Sequence, residues 1–189
     1  MGQLMNEWSR REFLYTGLVA TAGLMLPGNT LASCLPSSKG DKSLSFYNTH
    51  TGESLNKVVF WSDGKFVHEN LDQVNYLLRD FRTGDIHKID PDLLVLLYSL
   101  SRKVDTKHAI HIISGYRSPK TNAALAKASH GVAKHSLHMQ GMAIDIRIPG
   151  RELKVVRQAA LNLRKGGVGY YPSSAFVHVD TGRPRCWQG

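Results

Sequence analysis

Apolar residues follow two different spacings along the chain, and each spacing predicts a different element of secondary structure. Short runs and alternations bounded by glycine, proline or polar residues indicate strands. These strands are predicted at Leu44–Asn48, Val58–Trp61, Ala109–Ile113, Ala143–Ile148, Val168–Tyr171 and Phe176–Asp180. Apolar residues that recur every three or four positions predict helices at Glu69–Phe81, Asp90–Val104, Ser118–Ala128 and Arg151–Leu163.

The order of these elements predicts the fold class. Two strands come first, then two helices, then strands mixed with helices, without the regular alternation that builds a parallel sheet. We therefore predict an α+β fold with a mainly antiparallel sheet flanked by helices. Within Ala143–Ile148 the isoleucines share one face, so Asp145 on the other face is expected to point into a cleft. The segment Ser129–Gln140 lacks periodicity and is predicted to be a loop that carries functional residues.

Residues 1–33 have the pattern of an export signal. Ser9–Leu14 contains a twin-arginine motif, and the apolar stretch Phe13–Leu26 follows it. This stretch is shorter than the roughly 20 residues that a membrane-spanning helix needs. We expect export by the twin-arginine route into the periplasm, with a linker at residues 34–42 and one domain at residues 43–189. The alternative is an uncleaved amphipathic or core helix.

Two cleavage sites compete near Cys34. The segment Leu31–Cys34 matches a lipobox, in which the cysteine becomes the lipidated N-terminus and attaches the protein to a membrane. A cut after Ala32 by ordinary signal peptidase leaves the thiol free. We favour lipidation. Cys186 is expected to be a small core residue, and a disulfide with Cys34 is the alternative if no lipid is attached.

The net charge of +9 narrows the classes of partner. Residues 1–33 contain two arginines and two glutamates, so removing them leaves the charge unchanged. A basic surface favours polyanionic surroundings such as anionic lipid or cell-wall polymer, although a merely solvated surface is an equally good interpretation. We expect no nucleic-acid partner, because the chain has no motif for one and is exported. We also expect a monomer.

A candidate metal site lies around Gly141. His138 and Asp145 flank this flexible residue at a separation of seven positions. Far downstream, His178 and Asp180 share one face of a predicted strand. Imidazole and carboxylate are ligands that zinc prefers, and two adjacent strands would bring these groups together. Spacing alone also allows ordinary structural roles, with Asp145 in an ion pair with a nearby arginine.

Three blocks of sequence resemble one family. They are Ser114–Pro119 (Ser-Gly-Tyr-Arg-Ser-Pro), His135–Asp145 (His-Ser-x-His followed by Gly-x-Ala-x-Asp) and Gly167–Asp180 (Gly-Val-Gly-Tyr-Tyr-Pro and Phe-Val-His-Val-Asp). Together they resemble the M15-type zinc D-Ala-D-Ala metallopeptidases. The closer resemblance is to the DUF882 subgroup of exported murein endopeptidases of the K type. It covers Leu44 to Trp187.

The resemblance implies a fold, a metal and a reaction. The fold would be that shared by the hedgehog N-terminal domain and D-Ala-D-Ala peptidases. One Zn²⁺ would be bound by His138, Asp145 and His178 and would activate a water for hydrolysis. The substrate would be the stem peptides of peptidoglycan, with an endopeptidase acting on cross-links favoured. The alternatives are a D,D- or L,D-carboxypeptidase, or a non-catalytic wall-binding protein on the same fold.

The group that handles the proton is the least certain part of this expected site. Many M15 peptidases have a carboxylate three residues before the last histidine, but this chain has Ala175 there. We expect Asp180 to be the general base, because it shares a strand face with His178. The alternative for Asp180 is a carboxylate that orients this ligand. His135 is the second choice as base.

Further residues are expected around the metal. By resemblance, Arg117 binds a substrate carboxylate or stabilises the oxyanion, with a salt bridge to Asp145 as the alternative. Ser136 is expected to support the ligands from outside the coordination shell. Gln140 and Tyr171 are expected to contact substrate, with solvent exposure and core packing as the respective alternatives.

Overall fold

An eight-stranded sheet organises residues 40–128 and 133–189, the part of the chain that the structure, a computed structural model, describes. Its strands are β1 (Lys42–Asn48), β2 (Ser54–Ser62), β3 (Lys65–Phe66), β4 (Ile110–Ser114), β5 (Ala143–Arg147), β6 (Gly167–Tyr171), β7 (Phe176–Asp180) and β8 (Arg185–Gln188). The helices are α1 (His68–Leu77), α2 (Pro91–Lys103), α3 (Pro119–Ala128) and α4 (Leu153–Leu163), and a 3-10 helix spans Leu137–Gln140.

Most neighbouring strands in this sheet are antiparallel. The order is β3-β2-β1-β4-β5-β7-β6-β8. The pairs β1–β4 and β6–β8 are parallel, and the other pairs of the described sheet are antiparallel. α1 and α2 lie between β1 and β4 in the chain and supply the crossover that a parallel pair needs. The prediction of an α+β fold with a mainly antiparallel sheet is confirmed.

Helices α1, α2 and α4 pack on one face of the sheet and enclose the core there. The fully buried residues Ile144 and Ile146 of β5 and Val177 and Val179 of β7 belong to this core. α2 adds five buried leucines: Leu93, Leu94, Leu96, Leu97 and Leu100. α4 packs against β6 and β7, and α2 packs against α4 and β1. Because side chains alternate along a strand, the intervening residues of β5 and β7 point away from this core.

Asp90 ties the start of α2 to the loops before β5 and after β7. Its carboxylate caps the helix, accepting a hydrogen bond from Asp92 N–H at 3.0 Å, and Pro91 occupies the first turn. Its other carboxylate oxygen accepts from the Thr181 hydroxyl at 2.6 Å. Its N–H donates to the Gly141 carbonyl at 3.0 Å. The most buried helix therefore holds the loops that follow the 3-10 helix and β7.

The predicted start of β2 and the predicted end of α1 were wrong. β2 begins at Ser54, before the predicted start at Val58, because Tyr47 pairs with Ser54 and extends the hairpin. α1 ends at Leu77, short of the predicted Phe81. There the Asp80 carboxylate accepts the N–H of Arg82, which bends the chain away from the helical path.

The structure also contains elements that the pattern did not predict. β3 and β8 are short edge strands without a clear apolar alternation, and part of the segment predicted as a loop forms the 3-10 helix. α4 begins at Leu153, two residues later than predicted. Arg151 lies outside it, because its guanidinium donates to the carbonyls of Val104 and Asp105 beyond the end of α2.

The predictions for the leader lie outside the described residues. They concern the signal at residues 1–33, the lipidation of Cys34 and its disulfide. Among the residues that are described, no helix is long and apolar enough to cross a membrane. Cys186 is exposed on β8, so the prediction that it is a core residue was wrong. The edge position of the strand explains its exposure.

Two adjacent valines of α4 provide a matched test of this packing. Val156 is fully buried, whereas Val155 is 47% exposed. We expect Val156→Ala to lower the free energy of unfolding by roughly 2 kcal/mol, because it leaves a cavity in the core. Val155→Ala should be neutral or slightly stabilising, since alanine has the higher helix propensity. Denaturant unfolding of both variants checks this, and equal effects would contradict the described orientation of α4.

Candidate metal centre

The pairing of β5 with β7 brings two distant polar residues together. Asp145 is the direct partner of His178 in the antiparallel register. Each is flanked by core residues, so both side chains project from the face opposite the helices. The adjacency that the sequence suggested for these strands is therefore present. The Nδ1 atom of His178 lies 2.9 Å from Oδ1 of Asp145.

The 3-10 helix supplies a third polar side chain. The Ser136 hydroxyl caps it by accepting the N–H of His138 at 3.3 Å. Gly141 ends it with φ 68°, a conformation that favours glycine. A Cβ atom at this position would also overlap the Lys88 carbonyl oxygen. This tight stop directs the chain into β5 and leaves His138 buried beside Asp145.

Three ligand atoms converge in this arrangement. His138 Nε2 lies 3.3 Å from Asp145 Oδ1 and 3.2 Å from His178 Nδ1. With metal–ligand bonds of about 2.1 Å, adjacent corners of a tetrahedron are about 3.4 Å apart. The spacing of the three atoms thus suits one small cation bound by two imidazoles and one carboxylate.

Hydrogen bonds on the far sides of both rings indicate which nitrogens carry protons. Nδ1 of His138 lies 2.8 Å from the Gly115 carbonyl oxygen, which can only accept. Nε2 of His178 lies 3.0 Å from Asp180 Oδ2. With these outer nitrogens protonated, each neutral ring turns a lone pair toward Asp145. Three electron-rich atoms then face each other, and a cation between them would remove the repulsion.

The ionisation of the two central groups follows from their mutual contacts. Burial raises the pKa of Asp145, but the charge and hydrogen bonds of the His138 and His178 rings outweigh it and hold that pKa well below its usual range. Burial lowers the pKa of His178, but Asp145 and Asp180 outweigh it, so the net shift is upward. Asp145 is therefore a carboxylate under neutral conditions, as a metal ligand must be.

Asp180 is fully buried behind the ring of His178. Its Oδ2 faces Nε2 of that ring, on the side away from His138 and Asp145. Its Oδ1 accepts hydrogen bonds from Gly167 N–H at 2.9 Å and Gly182 N–H at 2.8 Å. Burial raises the pKa of Asp180, but hydrogen bonds from His178, from Arg185 and from these two backbone N–H groups lower it well below its usual range. This geometry suits a carboxylate that orients His178.

Arg117 lies on the open side of the three ligand atoms. Its Nη2 atom is 3.7 Å from Asp145 Oδ2 and 3.4 Å from the Ser114 hydroxyl. Its Nε atom is buried and has no hydrogen-bond partner among residues 40–128 and 133–189. Burial lowers the pKa of Arg117 and Asp145 raises it, with a net decrease. The guanidinium therefore makes only a long contact to Asp145, and its Nε–H group remains available to donate a hydrogen bond.

A cleft of about 380 Å³ opens onto these groups. Arg117, His135, Ser136 and Tyr171 line it together with the three converging residues. His135 is exposed at its rim. Gln140 is exposed and does not line this cleft. The structure thus gathers every residue predicted for the site except Gln140 and Asp180, which lies behind His178.

Asp80 also supports the site, although the sequence analysis did not select it. Its carboxylate accepts Ser118 N–H at 2.9 Å and Arg82 N–H at 3.0 Å. Burial raises the pKa of Asp80, but hydrogen bonds from Thr121, Ser118 and Arg82 outweigh it and lower the pKa to about 2. This buried carboxylate fixes the loop that carries Arg117. A lone aspartate in a polar stretch gives no local signal of such a role.

Comparison with known proteins agrees with the chemistry of this cluster. The family described as peptidoglycan L,D-endopeptidase MepK, which is of the M15 peptidase type, matches residues 36–187. The chain belongs to this family. The resemblance stated from the sequence blocks is confirmed, and so is the assignment of the chain to the peptidases, which are hydrolases.

Individual members of the MepK family match along nearly their whole length. Peptidoglycan L,D-endopeptidase MepK of Escherichia coli (strain K12) is 43% identical over 179 residues, which cover 95% of this chain and 97% of the relative. The probable peptidoglycan L,D-endopeptidase MepK of Haemophilus influenzae is 42% identical over 182 residues, 96% of each chain. The relatives are thus named for the class of reaction that the sequence predicted.

Asp80 makes stability depend on pH in a defined direction. Its folded pKa of about 2 lies below the ordinary value of 3.8, so its contribution is present above pH 4 and is lost as pH falls through about 2. We expect Asp80→Asn to lower the free energy of unfolding by about 2 kcal/mol at neutral pH. The difference from the wild type should shrink on acidification, as measured by denaturant unfolding.

Asp85→Asn is the matched control for this change. Asp85 is exposed and bonds only the neighbouring Thr83 hydroxyl through its side chain in the described structure. This variant should unfold like the wild type at each pH. A gap between Asp80→Asn and wild type that stays constant from pH 5 to pH 2 would contradict the role given to Asp80.

Proposed function

We propose that this chain is a zinc-dependent peptidoglycan L,D-endopeptidase. The observation that carries the proposal is the convergence of His138, Asp145 and His178 on one point, with the outer nitrogens of both rings already bonded. Its relatives of 42–43% identity are named as peptidoglycan L,D-endopeptidases. On this proposal, the protein hydrolyses cross-links between stem peptides of peptidoglycan.

The donor set supports zinc as the cation. Two imidazoles and one carboxylate are a common set for catalytic zinc, which keeps a fourth position open. His138, Asp145 and His178 line the cleft, which would leave that position open to water and substrate. Zinc bound in such a site lowers the pKa of water and polarises a carbonyl group. His138 and His178 would bind it as neutral rings, and Asp145 would supply the one negative charge.

Arg117 would bind the anionic part of the substrate. Its guanidinium lies within the cleft, and its buried Nε has no partner within the described structure. A buried donor without a partner costs stability unless something else occupies it. A substrate carboxylate, or the oxygen of the attacked carbonyl, would accept this bond. Tyr171 would line the same cleft and contact the substrate, and Gln140 would contact only portions that extend outside it.

His135 is the better candidate for the general base. Asp180 is fully buried, and its oxygens already accept bonds from His178, Gly167 and Gly182. We therefore propose that Asp180 orients His178. The imidazole of His135 lines the cleft and is exposed, so it can exchange protons with solvent. It would take a proton from the attacking water and return one to the leaving amine.

The remaining proposals concern fold family and location. The mixed sheet with its site on the face opposite the helices supports the hedgehog and D-Ala-D-Ala-peptidase type of fold. The twin-arginine motif supports export into the periplasm, where peptidoglycan is present. The lipobox supports a membrane anchor through Cys34, and palmitate labelling of wild type and Cys34→Ser would test it. The protein would work as a monomer.

Metal content and cleavage test the proposed function together. Protein purified from the cell envelope should contain one zinc ion and cleave muropeptide dimers joined by an L,D bond. Cleavage should stop with a chelator and return with added zinc. His138→Ala should lose both metal and activity, because two ligands hold zinc far more weakly than three. His108→Ala, which removes an exposed histidine outside the cleft, should keep both.

The substrates separate the alternatives. Metal-loaded protein that cleaves no dimer would contradict the endopeptidase. If it instead releases single residues from monomeric stem peptides, it is a carboxypeptidase. Binding of wall fragments without any cleavage would indicate a non-catalytic protein. Cleavage by metal-free protein would contradict the metal site.

The base assignment has its own test. We expect His135→Ala to lower kcat by about 10²–10⁴-fold, because a general base contributes about that factor. Its zinc content should equal that of wild type, since the ring is not among the converging atoms. Wild-type kcat in a zinc-loaded His135→Ala variant would contradict the assignment.

A further inference from the structure

Arg185 is the first residue of the edge strand β8, two strands away from His178. β6 lies between β8 and β7, and Arg185 is the register partner of Gly167 on β6. Its guanidinium nevertheless reaches β7. Nη1 lies 3.0 Å from Asp180 Oδ1, and Nη2 lies 2.7 Å from Asp180 Oδ2. This two-pronged contact is the geometry in which arginine binds a carboxylate most strongly.

The glycine at position 167 makes this reach possible. A Cβ atom there would overlap the guanidinium of Arg185 and the carboxylate of Asp180. Gly169 leaves space for Trp187 in the same way, because a Cβ atom at position 169 would lie only 2.7 Å from the Trp187 ring. The two glycines leave space along β6, and two side chains of β8 lie across it. Such clearance across an intervening strand is a specific feature of this sheet.

The side chains that cross β6 end against His178. Arg185 reaches it through Asp180, whose Oδ2 lies 3.0 Å from His178 Nε2. The Trp187 ring lies 5.1 Å from the His178 ring and donates its N–H to the Tyr171 hydroxyl at 2.8 Å. The outer side of His178 is therefore enclosed by β8. A histidine with a free outer edge would rotate, whereas this one is held by Asp180 and Trp187.

We propose that Arg185 is a positioning residue for the metal site, acting on His178 through Asp180. The arginine holds both oxygens of Asp180 in place, so that Oδ2 accepts the outer N–H of His178 and Nδ1 points at the metal position. Asp180 also accepts two backbone N–H groups, but Arg185 is the one cation that bonds its carboxylate within the described residues. Without it, a fully buried carboxylate would lack a counter-charge.

This inference rests on the proposed zinc site, and zinc affinity is its direct measure. We expect Arg185→Met to weaken zinc binding by about 10–100-fold, the range known for partners that orient a ligand histidine. The zinc affinity of Arg185→Lys should fall between those of wild type and Arg185→Met, because an ammonium keeps the charge but cannot make the two-pronged contact. Arg183→Met removes the same charge from an exposed neighbour and should bind zinc within about twofold of wild type. Competition with a chromophoric chelator gives the constants.

A double-mutant cycle separates positioning from general support of the fold. If Arg185 acts through Asp180, then in an Asp180→Asn background the change Arg185→Met should alter zinc affinity by no more than about twofold. Additive effects of the two changes would overturn the proposal, as would wild-type zinc affinity in Arg185→Met. If Arg185→Met does not fold, Arg185→Lys decides, and wild-type affinity there overturns the proposal. Failure of the wild type to bind zinc would instead reject the proposed function.

Discussion

Three electron-rich atoms held within about one bond length of a common point are the constraint on which the site depends. Asp145 and His178 meet because β5 and β7 pair in one register, and a one-residue shift of either strand would turn that strand's ligand toward the core. His138 joins them because the 3-10 helix stops at Gly141. The outer nitrogens of both rings bond to Gly115 and Asp180, so in the neutral rings the inner nitrogens can only accept. The lone pairs of the two rings and the Asp145 carboxylate repel one another, and a cation bound between them would remove this repulsion.

The rest of the molecule keeps those atoms fixed. The helices pack on one face of the sheet, and the ligands project from the other, so the apolar core does not compete with the polar site for side chains. Loops around the cleft are tied to rigid elements by single aspartates. Asp90 binds the loops after the 3-10 helix and β7, and Asp80 binds the loop that carries Arg117. Loops anchored in this way hold ligands more accurately than free ones.

The sequence predicts the fold class and the positions that converge, because both follow from the local spacing of apolar and polar residues along the chain. Alternation in β5 and β7 indicates which face Asp145 and His178 occupy, and the cap at Asp90 marks the start of α2. The spacing around Gly141 adds His138 as a candidate, and the resemblance implies that all three residues are ligands. These predictions need only the period of a strand, the chemistry of a cap and a family pattern.

Long-range polar contacts leave no such signal. β8 is four residues of mixed polarity, and nothing in its sequence shows that Arg185 lies across β6 against Asp180. Asp180 shows what strand alternation can predict: it places Asp180 on the same strand face as His178. Only the structure shows that its oxygens are already bonded on the far side of the ring. Choosing between a base and an orienting residue requires the partners of both oxygens.

X-ray absorption at the zinc edge of protein purified from the envelope tests the central claim most directly. We expect a shell of nitrogen and oxygen at about 2.0–2.1 Å, with multiple scattering from two imidazoles and no sulfur. The same spectrum of His178→Ala should show one imidazole or no bound zinc. A sulfur contribution at about 2.3 Å, or a wild-type spectrum without imidazole, would contradict the proposed site of His138, Asp145 and His178.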